Sequence, residues 1–242
     1  TRLFPMSKGE FVKPQSNEEF SHYIKNYCCV IEITFRNIEM KPEVYETPLS
    51  LSRCQYCEEP VLNNGRVVSS SLVTTTITEQ DYFIFKRFYN WINAYIGRMI
   101  IYRKGRLPKD FCRAILDLYK QKTELKGVEG SEADYLWAKE NCNSAYGMAV
   151  TDIVRDIIQY ENDEYLVTKP DLNEAIEQYN NSKTRFLFYP WGVWVTAYAR
   201  ANLFTGITEL KEDYIYSDTD SVKYIHPERH KEYFEKYNRY VM

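Results

Sequence analysis

Two aspartates stand two residues apart, Asp218 and Asp220, inside Tyr216-Ser-Asp-Thr-Asp-Ser221. Polar turn-forming residues 217–221 separate two short runs rich in aromatic and β-branched residues, 214–216 and 222–225, so the segment is predicted to be a hairpin. A hairpin tip brings two carboxylates near one point on a stiff support. Carboxylate oxygens are hard donors, and magnesium is commonly held by one or two of them together with substrate phosphates. The same residues would also suit a plain turn, because Asp and Ser favour turns for local hydrogen-bonding reasons. An EF-hand loop is excluded: no glycine stands at its sixth position and no glutamate at its twelfth.

A second constellation is Lys139-Glu-Asn-Cys-Asn143-Ser144-Ala-Tyr146-Gly147. Positions 139, 143 and 146 share one face of a helix, which then offers an ammonium, an amide and a phenol ring. Gly147 beside them permits close approach of a ligand. Such a face can meet the phosphates and the base or sugar of a nucleotide; it can equally be a mixed polar surface. A third pair, Thr196 and Arg200, lies four apart in an otherwise apolar stretch, where a buried guanidinium needs either an external anion or an internal carboxylate. Cys54-Gln-Tyr-Cys57 has half of a zinc ribbon's spacing, but no second CxxC or matching His pair completes four ligands. Buried or idle thiols are the simpler reading of these residues.

The elements that must carry these groups can be read from periodicity and punctuation. Residues 27–38 and 67–77 are β-branched strands, the second opened by the Asn63-Asn64-Gly65 turn signal. Residues 79–90 read as a helix, and 92–103 as a strand closed by Lys104-Gly105. Pro108 opens a helix over 109–126 that ends at Gly127. Ser131-Glu-Ala-Asp134 resembles a capping box that starts a second helix running to about 150. The short loop between the two predicts antiparallel packing. Short strands and polar turns follow up to Thr184, then a buried helix over 191–208, the hairpin, and a charged, Tyr-rich amphipathic helix from Pro227.

The chain has 242 residues, 44% of them apolar, enough for a sizeable core in one large or two small domains. No apolar run approaches the ~20 residues of a membrane span, and no signal peptide is visible. Six cysteines in a chain this long do not make a disulfide scaffold, which fits a reducing cytoplasm. The net charge of −3 hides an asymmetry: residues 86–126 hold eleven Lys/Arg against three acids, +8, leaving −11 for the remainder. A basic tract interleaved with Tyr89, Trp91, Tyr95, Tyr102 and Tyr119 can follow a phosphate backbone and offer rings to bases, or be a solvated surface.

Taken together these motifs resemble family B DNA polymerases. Lys139…Asn143-Ser144-Ala145-Tyr146-Gly147 is similar to that family's KxxxNSxYG motif, and Tyr216–Ser221 to YxDTDS. Thr196-Ala-Tyr-Ala-Arg200 is similar to TxxGR, with Ala199 in place of the usual glycine. Thr1-Arg2-Leu3-Phe4-Pro5 resembles the segment just after DxxSLYP. The order and spacing are closest to the viral or phage protein-primed branch.

The resemblance implies an α+β fold, a polymerase palm (antiparallel sheet backed by helices) with a protruding fingers helix pair. Residues 1–105 would be a palm portion with an insertion, 106–150 the fingers, 151–190 a second insertion, and 191–242 palm with the catalytic hairpin. Asp218 and Asp220 would be catalytic metal ligands for Mg2+ or Mn2+, two ions in the complete enzyme. Lys122, Lys126 and Lys139 would hold the incoming triphosphate, Asn143 and Tyr146 would line the nascent base pair, and Thr196 and Arg200 would contact the DNA backbone. The implied partners are template-primer DNA, dNTPs and, where priming is by protein, a terminal priming protein, with no membrane. The implied setting is the cytoplasm of a host cell. Because the chain starts after the position of the family's first catalytic aspartate and stops before its KxY motif, it reads as a fragment with negligible activity alone. A non-catalytic nucleic-acid-binding remnant of a palm is the alternative. A reverse transcriptase is disfavoured, since such enzymes place adjacent aspartates in this turn.

Overall fold

The computed structural model describes residues 2–183 and 188–241. Thr1 of the opening motif, residues 184–187, including the end of the predicted polar stretch, and Met242 lie outside the described residues. In chain order the elements are β1 (Phe4–Pro5), β2 (Glu10–Val12), α1 (Asn17–Asn26), β3 (Tyr27–Met40), β4 (Cys54–Glu58), β5 (Val61–Asn63), β6 (Arg66–Thr78), α2 (Glu79–Phe88), β7 (Tyr89–Asn90) and β8 (Asn93–Gly105). There follow α3 (Lys109–Leu125), α4 (Glu132–Gly147), β9 (Ile157–Glu161), β10 (Glu164–Thr168), α5 (Leu172–Asn181), α6 (Tyr189–Leu210), β11 (Tyr214–Asp218), β12 (Ser221–Tyr224) and α7 (Pro227–Val241). Contacts divide the chain into two compact units, Thr1–Arg106 with Trp194–Met242, and Leu107–Val193.

The first unit is built on an antiparallel sheet in the order β1-β8-β3-β6-β4, with β2, β5 and β7 paired at its margins. Alternation explains its core face. Ile31, Ile33 and Phe35 of β3 are fully buried and lie opposite Ile77, Thr75 and Val73 of β6. The intervening positions are polar, and Thr34 and Thr74 share a 2.8 Å hydrogen bond there. Helix residues Ile84, Phe85 and Phe88 from α2 and Phe204, Ile207 and Leu210 from α6 join the same core. Each buried side chain of this size contributes about 1.5–3 kcal/mol. The unit is thus α+β, a large antiparallel sheet backed by helices.

Several boundaries differ from the sequence reading. The helix expected over 79–90 ends at Phe88, because Tyr89–Asn90 pair with β3 as a short strand. A capping box does form at this helix: Thr78 Oγ1 accepts from Asp81 N, and Asp81 Oδ2 accepts from Thr78 N. At Ser131 it does not; that residue has φ −108° and ψ 13°, and its side chain makes no cap hydrogen bond. An N-cap needs extended backbone to aim its side chain at the first turn. The helix it precedes closes at Gly147 and tightens into a 3-10 turn over Met148–Val150.

In the second unit α3 and α4 pack on each other across the short Gly127–Gly130 connection, whose two glycines both take positive φ. The stretch expected as strands and turns holds the β9–β10 hairpin but also α5, capped by Asp171, whose Oδ1 accepts from Asn173 N and Glu174 N. The helix expected over 191–208 spans Tyr189–Leu210. It is not buried all round: Trp194, Ala197, Phe204, Ile207 and Leu210 are covered, whereas Val195 is 43% exposed. No described helix is long and apolar enough to cross a membrane.

Candidate functional site

Asp218 pairs with Ser221 across the β11–β12 hairpin, so Thr219 and Asp220 form a two-residue turn. Thr219 has φ +51°, a left-handed backbone that a β-branched residue rarely takes, and such positions cluster at functional sites. Its hydroxyl donates to Asp218 Oδ1 at 2.9 Å, and Ser221 Oγ donates to the Asp218 carbonyl at 3.1 Å. Both aspartates are exposed. Asp220 also lines a cavity of ≈ 180 Å³ walled by Ala199, Asn202 and Leu203 of α6 and Phe234 and Tyr237 of α7.

Another segment reaches the same wall of α6. Arg2 hydrogen-bonds Asn202 Oδ1 and stacks over the Tyr198 ring at 4.6 Å. Tyr198 OH donates to the Leu3 carbonyl at 2.5 Å, and Phe4 meets the Tyr198 ring edge-on. The opening segment, the hairpin and α6 therefore converge around Tyr198–Asn202. Sequence reading missed Tyr198 and Asn202; the signal available was their place within and just after the Thr196–Arg200 motif.

Thr196 is half-buried on α6. Arg200 has an internal carboxylate: its Nε and Nη2 donate to Asp81 Oδ1 and Oδ2 at 2.7 and 2.8 Å. The guanidinium is thereby oriented by a residue that is itself part of the α2 capping box, a partner the sequence did not single out.

On α4, Lys139, Asn143 and Tyr146 are all exposed, and the Lys139 ammonium lies 6.0 Å from the Tyr135 ring centroid. Gly147 has nothing within 4 Å of the place a Cβ would occupy. Gly192, by contrast, is closely approached: a Cβ there would meet Val150 Cγ1 at 2.1 Å and Tyr146 Cε2 at 3.7 Å. On the preceding helix Lys122 sits over the Tyr119 ring at 5.6 Å, and Lys126 is the residue that caps the helix end. The basic tract is divided, since 86–106 belong to the first unit and 107–126 to the second. Part of its charge is locally matched, through Arg98–Glu32, Arg113–Asp110 and Lys120–Glu124.

Among the described residues no group of three or more His, Cys, Asp or Glu side chains is arranged to hold a metal ion. The Asp218/Asp220 pair offers two hard oxygen ligands, a set that suits magnesium or manganese when phosphate and water complete it. Cys54 Sγ donates to the Ser50 carbonyl and Cys57 Sγ to Ser70 Oγ, each at 3.5 Å. Burial, with Cys57 beside it, pushes the Cys54 thiol up to about 12, away from the thiolate that binds metals.

No protein-family model and no curated protein sequence matches the chain. Solved structures do: the α+β fold, with its large antiparallel sheet and helices, is similar to part of a solved DNA polymerase. Phi29 DNA polymerase complexed with primer-template DNA, a post-translocation binary complex, matches with a TM-score of 0.67 at 18% identity, over 96% of this chain and 37% of that one. The ternary complex of Phi29 DNA polymerase with primer-template DNA and incoming nucleotide substrates matches at 0.61 and 20% identity, over 92% and 35%. The chain thus spans little more than a third of the polymerase it resembles.

Proposed function

We propose that this chain is part of a DNA-directed DNA polymerase of the protein-primed family B type, carrying out template-directed nucleotidyl transfer from dNTPs. The observation that carries the reading is the Asp-Thr-Asp turn, with Asp220 facing the cavity at Ala199 and Asn202 on the helix that bears Thr196 and Arg200. The polymerase-like fold supports it.

In this reading Asp218 and Asp220 would hold Mg2+ or Mn2+, which would supply the charge stabilisation that nucleotidyl transfer needs. Lys139, with Lys122 and Lys126, neutralises the triphosphate. Asn143 and Tyr146 line the nascent base pair, and Gly192 lets Tyr146 and Val150 close on the start of α6. Thr196 and Arg200 contact the primer-template backbone, with Asp81 presetting the guanidinium. The domain reading follows: palm with an insertion over 1–105, fingers over 106–150, a second insertion over 151–190 and palm over 191–242. A terminal priming protein is a partner of the protein-primed branch, and the host cytoplasm is its setting.

Fluorescence anisotropy with a labelled primer-template duplex and Mn2+ tests this. The dNTP complementary to the templating base should tighten binding and the other three should not, and Asp220→Ala should remove the difference. Equal binding with all four dNTPs would leave only the non-catalytic remnant.

A further inference from the structure

The β11–β12 pair is a two-stranded sheet of its own, and an isolated hairpin is marginal in water. Two things fix it. One is apolar: Tyr214 is buried in the core, and Tyr224 stacks on Phe234 of α7 at 5.0 Å. The other is a carboxylate that no motif includes.

Asp213 immediately precedes β11 and is 3% exposed. Its Oδ1 accepts from His226 Nδ1 at 2.8 Å and its Oδ2 from His230 Nε2 at 2.9 Å. Arg229 Nη1 stands 3.4 Å from both oxygens. The Asp213 carbonyl accepts from Ile225 N at 3.0 Å. His226 lies just past β12 and holds φ +53°, while Arg229 and His230 are in the first turns of α7. One side chain therefore closes the open end of the hairpin and ties it to α7. A carboxylate only accepts, so each imidazole must carry its proton on the nitrogen named. His230 is further held by the edge-on ring of Tyr224 at 5.6 Å.

We infer that Asp213, through His226 and His230, is a positioning cluster for the hairpin that presents Asp218 and Asp220. The geometry places the clasp at the end of the hairpin opposite the aspartates, where it sets the direction of both strands without touching the tip. α7 supplies the Phe234 and Tyr237 wall of the cavity that Asp220 faces, so the clasp also fixes that wall. The inference rests on the reading of Asp218 and Asp220 as metal ligands, and the test separates the two.

Mn2+ binding to the 242-residue chain is followed by paramagnetic broadening of the backbone amides of the hairpin. Asp213→Asn keeps the volume but faces one imidazole donor with an amide N–H. It should weaken Mn2+ binding severalfold, because the strands that aim Asp218 and Asp220 lose their tie to α7. His230→Gln, which keeps an N–H donor, should bind nearly as wild type, and His230→Leu should match Asp213→Asn. Amide exchange should rise in 214–224 and stay unchanged in β3 and β6. If Asp220→Ala removes Mn2+ broadening while Asp213→Asn and His230→Leu leave both affinity and hairpin exchange unchanged, the positioning role is wrong. If Asp220→Ala leaves the broadening in place, the metal reading fails, and the inference fails with it.

Discussion

Arg200 and Asp81 form a two-point ion pair that joins α6 to the first turn of α2, with the carboxylate 6% and the guanidinium 22% exposed. The same carboxylate accepts from Thr78 N and Thr78 Oγ1. Asp81 therefore caps one helix and anchors another. Arg200→Ala should destabilise the chain by about 3 kcal/mol, the low end for breaking a buried pair, measured by urea unfolding. Arg200→Lys should recover little of this, since an ammonium cannot reproduce the planar fork. A loss near zero would mean that the pair is incidental to the fold.

Asp213 dictates an acid limb. Hydrogen bonds from His226 and His230, with Arg229 nearby, hold its carboxyl down at about 2, against an ordinary 3.8. A group with a depressed folded-state pKa stabilises above its unfolded value and loses that stabilisation as pH falls through the folded one. Wild type should lose stability between about pH 4 and 2, and Asp213→Asn should be less stable at pH 7 with a shallower slope in that window. Parallel slopes for the two proteins in acid titrations followed by circular dichroism would exclude this.

Glu79 behaves oppositely. It is fully buried, and burial raises its carboxyl, although Cys29 N and Trp194 Nε1 donate to it at 2.8 and 2.9 Å. A raised carboxyl is most favourable to folding below its unfolded pKa and loses that contribution as pH rises through the folded value. Trp194→Phe removes one donor while keeping most of the ring volume. It should cost about 1–3 kcal/mol, the penalty for an acceptor left poorly satisfied, and the cost should grow from pH 4 to pH 7.

Gly192 has no room for a methyl group. Gly192→Ala would drive a Cβ to 2.1 Å from Val150 Cγ1, and overpacking of this kind costs about 1–3 kcal/mol. Combining it with Val150→Ala should return part of the loss. Additive losses in the double variant, measured by thermal unfolding, would place the strain elsewhere.

Lys139 carries the nucleotide prediction. Lys139→Ala should weaken dNTP binding by about 1.5–3 kcal/mol, the range for hydrogen bonds to charged groups. Lys120→Ala, whose ammonium pairs with Glu124, should change it little. The affinity should also fall with salt, because exposed charges are screened within ~10 Å at 0.1 M. Equal affinities for wild type and Lys139→Ala would make this face of α4 a plain helix surface.

Local chemistry made much of the chain legible as sequence. β-Branched residues in 27–38 and 67–77, the second stretch opened by Asn63-Asn64-Gly65, specified strands. Which face each strand buries was decided by the sheet. The Ser-Asp-Thr-Asp-Ser run between the short aromatic and β-branched stretches 214–216 and 222–225 specified a hairpin. Spacing put Lys139, Asn143 and Tyr146 on one helix face, which the structure shows to be exposed. What the sequence left open depended on partners distant along the chain. Arg200 could have met an external anion or an internal carboxylate; its partner lies 119 positions away. Ser131 had the right neighbours for a capping box and the wrong backbone, whereas Thr78 and Asp81 acquired one where a long strand delivers extended geometry into a helix. Asp213, His226 and His230 carried no motif, since a cluster of three groups on a strand start, a loop and a helix exists only once hairpin closure brings those elements together.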